Sequence, residues 1–433
     1  MPARPTVLLL ALMLCACRPA APPPPSLNDL AEQYVKLSLE MGTHEEGYID
    51  AYYGPPEWKT QAEAQPRAVR DLKPVADALK AGVDAVVAST TDDGVKRRAH
   101  TLAAYVASAR FRLDMMEGTR APFLDEAERL FALRPEIRPL ESYEAVLQRM
   151  QTIVPGSGDL AARVEAFRSR FVVPRDKLQA VMDAGINECK RRTLPHIPLP
   201  AGEQFTLGFV DRKSWSAYNY YKGNNHSEIQ VNTDLPITID RAVTLGCHEG
   251  YPGHHVQGIY AEKLYRERGY VEYSIAPLFS PQGPLNEGGG DFGVDLAFPG
   301  DERLQFEQST LYPLAGLDPA TAPAFTAYGK AIQDLDGARL TVAQQYLDGQ
   351  VTRDRAIDLL QHYQLLSRER ASQSLDFIDQ YRSYVINYVS GEDVLRAAAN
   401  RAGGTPEARW QFYLRMLSQP TLPGDLLPAA GRP

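Results

Sequence analysis

Histidine and carboxylate residues are concentrated in one short segment of the 433-residue chain. Three of the eight histidines are His248, His254 and His255, and Glu249 directly follows the first of them. Imidazole and carboxylate groups are common zinc ligands in proteins. A glutamate beside such ligands can act as a general base. The segment is therefore a candidate metal centre with hydrolytic chemistry.

The spacing of these histidines decides whether one ion can bind two of them. In the HExxH zinc helix, the histidine ligands lie four residues apart on one helical face. Here His254 follows His248 by six residues, so on a regular helix it would point about 120° away. Pro252 cannot donate a helical hydrogen bond and Gly253 tolerates unusual dihedral angles, so a bulge there would bring His254 back to the metal. The alternative is a structural helix interrupted by a turn, with no metal.

Glu287 is the best-placed third ligand, 39 residues after His248 in the sequence NEGGGD. Two histidines and one carboxylate leave a fourth zinc position open for water. Asp291, one helical turn later, can accept a hydrogen bond from a ligand imidazole, and His255 is assigned a supporting position beside the ligands. Alternatively, residues 288–290 form a flexible loop and both acids face solvent, since each glycine costs a helix about 1 kcal/mol relative to alanine.

The segment HEGYPGHHVQ at 248–257, followed by Glu-Gly at 287–288, resembles the HExxPGH and EGWA-like patterns of a known bacterial family, the domain of unknown function 885. That family is grouped with the zincin-type metallopeptidases. Residues 388–391, YVSG, match its late Y-x-x-G element, and the early segment YIDAYYGPPEW is also similar to the family. The resemblance covers about residues 205–400.

This resemblance implies a zincin-like metallopeptidase architecture, mainly α with a small β-sheet. It implies a Zn²⁺ ion bound by His248, His254 and Glu287, with Glu249 as the general base that activates water. It also implies Tyr388 as a catalytic hydrogen-bond donor to the substrate or the oxyanion. A peptide is the expected substrate.

The chain departs from the family pattern in two places, both in predicted pocket walls. Gly289-Gly290 replaces the expected Trp-Ala, and RSYV at 382–385 stands where a PGQA-like stretch is expected. Three functions therefore stay open. The first is a zinc-dependent hydrolase that cleaves peptide bonds. The others are a non-catalytic peptide- or ligand-binding lipoprotein on a degenerate zincin scaffold, and a helical lipoprotein without metal.

Helical periodicity dominates the rest of the chain. Ser26 followed by Asp29 is typical of a capped helix start. Late in the chain, a stripe of aromatic residues is predicted to line a helix and to belong to the core: Phe377, Tyr381 and Tyr384.

Strand patterns are confined to one region. Segments 203–210 and 227–232 alternate apolar and polar residues, with a Gly-Asn-Asn turn at 223–225 between them. We predict a small sheet inside a mainly helical protein. Segment 227–232 is the candidate strand for pairing with an extended peptide substrate.

The first residues resemble an export signal with a lipid attachment site. The apolar run at 7–14 is too short to span a membrane, which takes about 20 residues. The sequence LCAC at 14–17 then resembles a bacterial lipobox, and a proline-rich stretch follows. We predict a signal peptide at 1–16, acylation of Cys17 and a tether at 17–26. Ordinary signal cleavage without acylation is the alternative.

These features predict a bacterial cell-envelope protein with a lipid anchor. Arg18, in place of an aspartate, indicates the outer membrane, facing the periplasm. Residues 27–433 are predicted to form a single large, mainly helical domain. In an oxidising compartment Cys189 and Cys247 can form one disulfide, or they can stay two buried thiols.

The composition excludes several other classes of protein. The chain has 46 Lys+Arg against 54 Asp+Glu, a net charge of −8, with 44% apolar and 23% charged residues. These values are typical of a soluble globular protein and exclude a disordered chain or a multi-span membrane protein. The acidic balance argues against a nucleic-acid partner. The expected partners are a peptide substrate and a membrane reached through the lipid anchor.

Overall fold

The computed structural model describes residues 25–213 and 215–428, which form a mainly helical protein with two small sheets. The predicted fold class is confirmed at this level: mainly α with little sheet. The predicted signal peptide, Cys17 and all but the end of the tether lie outside the described residues. None of the helices in these two ranges combines the length and the apolar character that crossing a bilayer requires.

Helices make up most of the chain, and the strands are short and few. In chain order, the α-helices are α1 (Leu27–Gly42), α2 (Pro56–Ala64), α3 (Val69–Ser89), α4 (Asp93–Met116), α5 (Phe123–Phe131), α6 (Glu144–Ile153), α7 (Leu160–Arg168), α8 (Leu178–Thr193), α9 (Arg241–Leu245), α10 (His254–Arg268), α11 (Gly283–Ala297), α12 (Glu302–Phe306), α13 (Tyr312–Ala315), α14 (Ala322–Gln333), α15 (Asp336–Leu347), α16 (Arg353–Tyr363), α17 (Arg368–Tyr381), α18 (Ile386–Arg401) and α19 (Pro406–Leu417). The strands are β1 (Ile49–Tyr52), β2 (Gln204–Val210), β3 (Ala217–Gly223), β4 (His226–Asn232) and β5 (Ile275–Pro277). Two π-helical turns cover Gly246–Gly250 and Glu307–Leu311, and 3-10 turns cover Leu140–Tyr143, Ser169–Phe171, Val271–Ser274, Pro319–Thr321, Arg382–Val385 and Pro423–Leu426.

The buried apolar side chains form one continuous core, from Leu30 in α1 to Leu422 near the end of the described chain. The start of α1 is capped as predicted. The Ser26 hydroxyl accepts a hydrogen bond from the Asp29 N–H at 3.2 Å, and the Asp29 carboxylate accepts one from the Ser26 N–H at 2.8 Å. This reciprocal pair satisfies two backbone donors that the first helical turn leaves free.

Helices α11 and α18 lie close together because glycines remove the side chains between them. A Cβ atom on Gly288 would lie 2.2 Å from the carbonyl carbon of Gly391, and one on Gly391 would lie 2.2 Å from the carbonyl oxygen of Pro284. The three glycines at 288–290 are therefore part of a helix, and the alternative of a flexible loop is wrong. This close contact brings the first turn of α18 beside Glu287.

The main sheet has three strands in the order β2-β4-β3. Strand β4 pairs in parallel with β2 and antiparallel with β3, whose hairpin turn at 223–225 was predicted. The two predicted strands are confirmed to within a residue, but β3 was missed. Because β4 is bonded on both sides, it cannot also pair with a substrate, and that prediction is wrong. Strands β2 and β3 are the two edge strands of this sheet.

Strands β1 and β5 form a separate antiparallel pair with a bulge in β1. Ile49 pairs with Pro277 and Ala51 with Ala276, so Asp50 is the extra residue between them. A bulge of this kind redirects the extra side chain and often occurs beside a functional site.

A disulfide joins Cys189 in α8 to Cys247, whose Cα atoms are 5.4 Å apart. The sequence had left this bond open. Helix α8 packs tightly on α9, since a Cβ atom on Gly185 would lie 2.4 Å from the carbonyl oxygen of Ala242. The bond therefore connects a long helix to the residue directly before His248.

Candidate metal centre

The backbone between His248 and His254 is not one helix with a bulge, as the spacing had suggested. The helix that begins as α9 widens into the π-helical turn at Gly246–Gly250 and ends there. A cis peptide bond precedes Pro252, and α10 begins afresh at His254. A Cβ atom on Gly253 would lie only 1.8 Å from the carbonyl oxygen of His248, so glycine alone fits this turn. The two imidazole rings lie edge to face, with centroids 4.6 Å apart.

The structure brings His248, His254 and Glu287 together. Glu287 Oε2 lies 3.4 Å from His248 Nε2 and 3.7 Å from His254 Nε2, and the three donor atoms are within 4.8 Å of one another. Ligand atoms about 2.05 Å from a tetrahedral zinc ion are separated by about 3.4 Å. The two carboxylate–imidazole separations are close to this value, and the donor types suit zinc.

The electrostatics of this group favour a cation beside an ionised carboxylate. Burial raises the pKa of Glu287, but hydrogen bonds from His248 and His254 outweigh it and hold that pKa well below its usual value. Burial also disfavours the charged form of His248, but Asp291 and Glu287 outweigh it and raise the pKa of the imidazole well above normal. The carboxylate is thus in the form that binds metal.

Each imidazole is oriented through its Nδ1 atom. Asp291 Oδ1 lies 2.8 Å from Nδ1 of His248, and Gln257 Oε1 lies 2.9 Å from Nδ1 of His254. The Gln257 amide in turn donates to the carbonyl oxygen of Asn286 at 3.0 Å, directly before Glu287. These contacts leave both Nε2 atoms directed at the shared position. The assignment of Asp291 agrees with this geometry, whereas the role of Gln257 was missed although it stands within the quoted motif.

Glu249 lies beside the three ligand candidates and is 5% exposed. Its Oε2 atom is buried and has no hydrogen-bond partner among the described residues. Buried polar atoms without partners are rare and indicate a missing ion, water or substrate. The main-chain oxygen of Glu249 accepts a hydrogen bond of 2.6 Å from the side chain of Asn219 in β3. This contact joins β3, at one edge of the sheet, to the candidate general base.

Tyr384 is buried in the core with Phe377 and Tyr381 beside it, as the periodicity predicted, and its hydroxyl also reaches the site. Its hydroxyl donates a hydrogen bond of 2.7 Å to Glu287 Oε1, which leaves Oε2 for the histidines. Tyr388, the predicted donor, lies one turn further along, with its ring centroid 6.0 Å from that of Tyr384. Burial, together with the charge of Glu287, raises the pKa of Tyr388 well above normal, so the hydroxyl keeps its proton.

The two glycines that depart from the family pattern pack directly against the site. A Cβ atom on Gly290 would lie 2.7 Å from Nδ1 of His248. One on Gly289 would lie 2.7 Å from the Gln257 amide and 3.2 Å from the hydroxyl of Tyr413. In this chain, the ring of His248 and the side chains of Gln257 and Tyr413 fill the space that larger residues would take.

His255 does not support the ligands as predicted. Its side chain is fully buried, and its two ring nitrogens lie 2.8 Å from the Ser227 hydroxyl and 2.8 Å from Glu203 Oε2. Both partners belong to the sheet side of α10, away from the three ligand candidates. The position one residue after His254 turns this ring by about 100° around the helix, which explains the separation. His255 therefore anchors α10 to the sheet.

Asp50, in the bulge of β1, is a further residue beside the site that the sequence reasoning missed. Its carboxylate is exposed, and no described residue forms a hydrogen bond or ion pair with it. Its charge interacts with those of Glu287, Glu249 and His254, which places it beside the site. The family-like segment YIDAYYGPPEW was the available signal, but it gave this aspartate no role.

Comparison with known proteins gives the fold and no activity. No family profile matches the chain, and no curated protein sequence matches it. The chain is similar in structure to a protein described as "the putative lipoprotein from Colwellia psychrerythraea", with a TM-score of 0.52 and 13% sequence identity. The match covers 93% of this chain and 75% of that one. At this identity the comparison establishes a shared fold alone.

Proposed function

We propose that the protein is a zinc-dependent hydrolase with a zincin-like architecture that cleaves peptide bonds. The observation that carries this proposal is the grouping of His248, His254 and Glu287 within 4.8 Å, beside the unpartnered carboxylate oxygen of Glu249. The resemblance to the domain of unknown function 885 supports the same assignment. Two imidazoles and a carboxylate favour zinc over the harder divalent cations.

Each residue of the site has a separate role in the proposed hydrolysis. When bound, zinc lowers the pKa of a coordinated water and polarises a carbonyl group. Glu249 accepts the proton of the attacking water at its free Oε2 atom and transfers it to the leaving amine. Tyr388, whose hydroxyl stays protonated, donates to the oxygen of the scissile carbonyl. Asp291 and Gln257 keep the imidazole rings in the orientation that binding requires.

Strand β3 is the proposed binding edge for the peptide. Its only hydrogen-bonded neighbour among the described strands is β4. Asn219, in the middle of β3, is bonded to the backbone of Glu249, so a peptide paired with this edge would pass the general base. An added strand supplies main-chain hydrogen bonds whatever the peptide sequence.

The proposal extends to the location of the protein. The LCAC sequence at 14–17, with the apolar run before it, supports acylation of Cys17 and anchoring at the bacterial envelope. The structural similarity to a protein described as a lipoprotein is in agreement with this. Placement in the outer membrane rests on Arg18 alone.

The test combines metal analysis with hydrolysis of a peptide library. We expect about one zinc per chain and cleavage of peptides by the parent protein. Glu249→Gln should keep the zinc and the fold but lose turnover, because a nearly isosteric amide cannot accept the proton. Near-normal turnover by this variant would exclude the general-base role. Zinc binding without hydrolysis of any peptide would favour the non-catalytic binding protein.

A further inference from the structure

Arg339 in α15 is half-buried and has no polar partner among the described residues. Its guanidinium group makes no hydrogen bond or ion pair with any described residue, and its Nε atom is inaccessible to solvent. The group lies against the face of Phe377, whose ring centroid is 5.3 Å from Cζ. Arginines withdrawn from water are normally paired with an acid. A group of this kind indicates a binding site for an anion.

Ring contacts place this arginine in the wall beside the candidate metal centre. The ring of Phe377 lies 6.4 Å from that of Tyr384, whose hydroxyl is bonded to Glu287. Tyr384 also contacts Tyr388, at 6.0 Å between ring centroids. The rings of Phe377 and Tyr384 therefore connect Arg339 to Glu287, and Tyr388, the candidate substrate donor, is close enough to act on its charge.

Two titratable groups act on Arg339, and neither neutralises it fully. Tyr388 keeps its proton, as described above. Asp336 lies one helical turn before Arg339 but outside ion-pair distance, and burial raises its pKa to about 7. Other arginines in this part of the chain are already paired: Arg368 lies 3.3 Å from Asp358, for example. Among the described residues, the guanidinium group of Arg339 thus has no ion-pair partner beside these aromatic rings.

We propose that the guanidinium group of Arg339 binds a carboxylate group of the peptide. This inference rests on the proposed function for the identity of the ligand. A planar guanidinium forms two parallel hydrogen bonds with a carboxylate. The carboxylate is either the C-terminus of the peptide, which defines a carboxypeptidase type of cleavage, or an acidic side chain, which defines selectivity for Asp or Glu.

The experiment measures binding and does not depend on turnover. Zinc-loaded Glu249→Gln protein is immobilised and exposed to random hexapeptides, supplied as free acids and as C-terminal amides, and the retained peptides are quantified by mass spectrometry. We expect free acids to be retained about tenfold or more over amides, as a charged hydrogen bond implies. Adding Arg339→Gln should remove this preference, and Arg339→Lys should keep part of it. Arg368→Gln, the matched surface control, should leave it unchanged.

Each outcome of this binding experiment supports or overturns the proposed carboxylate site. Equal retention of acids and amides, or a preference that survives Arg339→Gln, overturns the proposal. Retention of only those amides that contain Asp or Glu, lost in Arg339→Gln, assigns the site to acidic side chains. A preference that depends on Arg339 in a protein that hydrolyses no peptide would refute the proposed hydrolase and leave the carboxylate site standing.

Discussion

The substitution Gly290→Ala tests whether the ring of His248 lies where the candidate site requires it. The added methyl group would lie 2.7, 2.8 and 2.9 Å from Nδ1, Cε1 and Cγ of that ring. Carbon contacts become favourable at about 3.5 Å, so the ring must retreat by about 0.7 Å. Such a shift disturbs the 2.8 Å contact with Asp291 and moves Nε2 away from Glu287.

Two opposing effects set the stability of this variant. Alanine in a helix is favoured over glycine by about 1 kcal/mol. Overpacking a tight site costs about 1–3 kcal/mol. The net free energy of unfolding should therefore fall by about 0–2 kcal/mol. Zinc affinity should fall by about 10- to 100-fold, the range seen when a residue that orients a metal ligand is lost.

The assay is competition for zinc against a chelator, with denaturant unfolding of the same samples. Gly329→Ala in α14 is the matched control, because that glycine is exposed and a Cβ atom there would meet nothing within 4 Å. It should gain up to about 1 kcal/mol of stability and keep its zinc affinity. If Gly290→Ala behaves like this control, the ring of His248 does not pack on α11 and the ligand geometry of the candidate metal centre fails.

Four further variants test other parts of the site and its anchor. His254→Ala should strip the zinc, whereas His255→Ala should keep most of it while lowering the melting temperature, because His255 only joins α10 to the sheet; the opposite result in metal analysis would exchange their roles. Tyr384→Phe leaves one oxygen of Glu287 without its donor, so zinc affinity should fall by about tenfold in chelator competition, and an unchanged affinity would contradict the assigned contact. Cys17→Ser should release the protein from the membrane fraction without changing zinc content, and an unmodified N-terminus in the mass spectrum of the parent protein would refute acylation.

Local rules were sufficient where the structure depends on neighbouring residues. The cap at Ser26, strands β2 and β4 and the turn between β3 and β4 follow from short patterns that the backbone itself satisfies. Strand β3 was missed because its sequence, AYNYYKG, does not alternate apolar and polar residues. Its aromatic side chains pack on residues outside the strand. For example, the ring of Tyr221 in β3 lies 5.5 Å from that of Tyr53. The order of the strands depends on such distant contacts, and that order determines which strands lie at the edges of the sheet.

The contact of Tyr384 with the site was not predicted, because α17 ends at Tyr381 and Tyr384 lies in the turn that follows. Arg382 has a positive φ of 52°, which turns the chain out of the helix. This turn is held by Glu126 of α5, which accepts hydrogen bonds from the Arg382 side chain at 2.7 Å and from the Ser383 hydroxyl at 2.9 Å. A buried acid more than 250 residues away in sequence thus redirects the tyrosine toward Glu287.

The glycines of α11 suggested a loop by their composition, whereas the structure places them in a helix. Judged by propensity alone, the three consecutive glycines at 288–290 favour a loop. In the folded chain, the space beside each of them is taken by a neighbour: the backbone of α18 against Gly288, and the ring of His248 against Gly290. A residue with a side chain would separate α11 from both. The glycines lower the helix propensity of α11, but they allow Glu287 to approach the two histidines. Tertiary packing supplies the stability that the local sequence lacks.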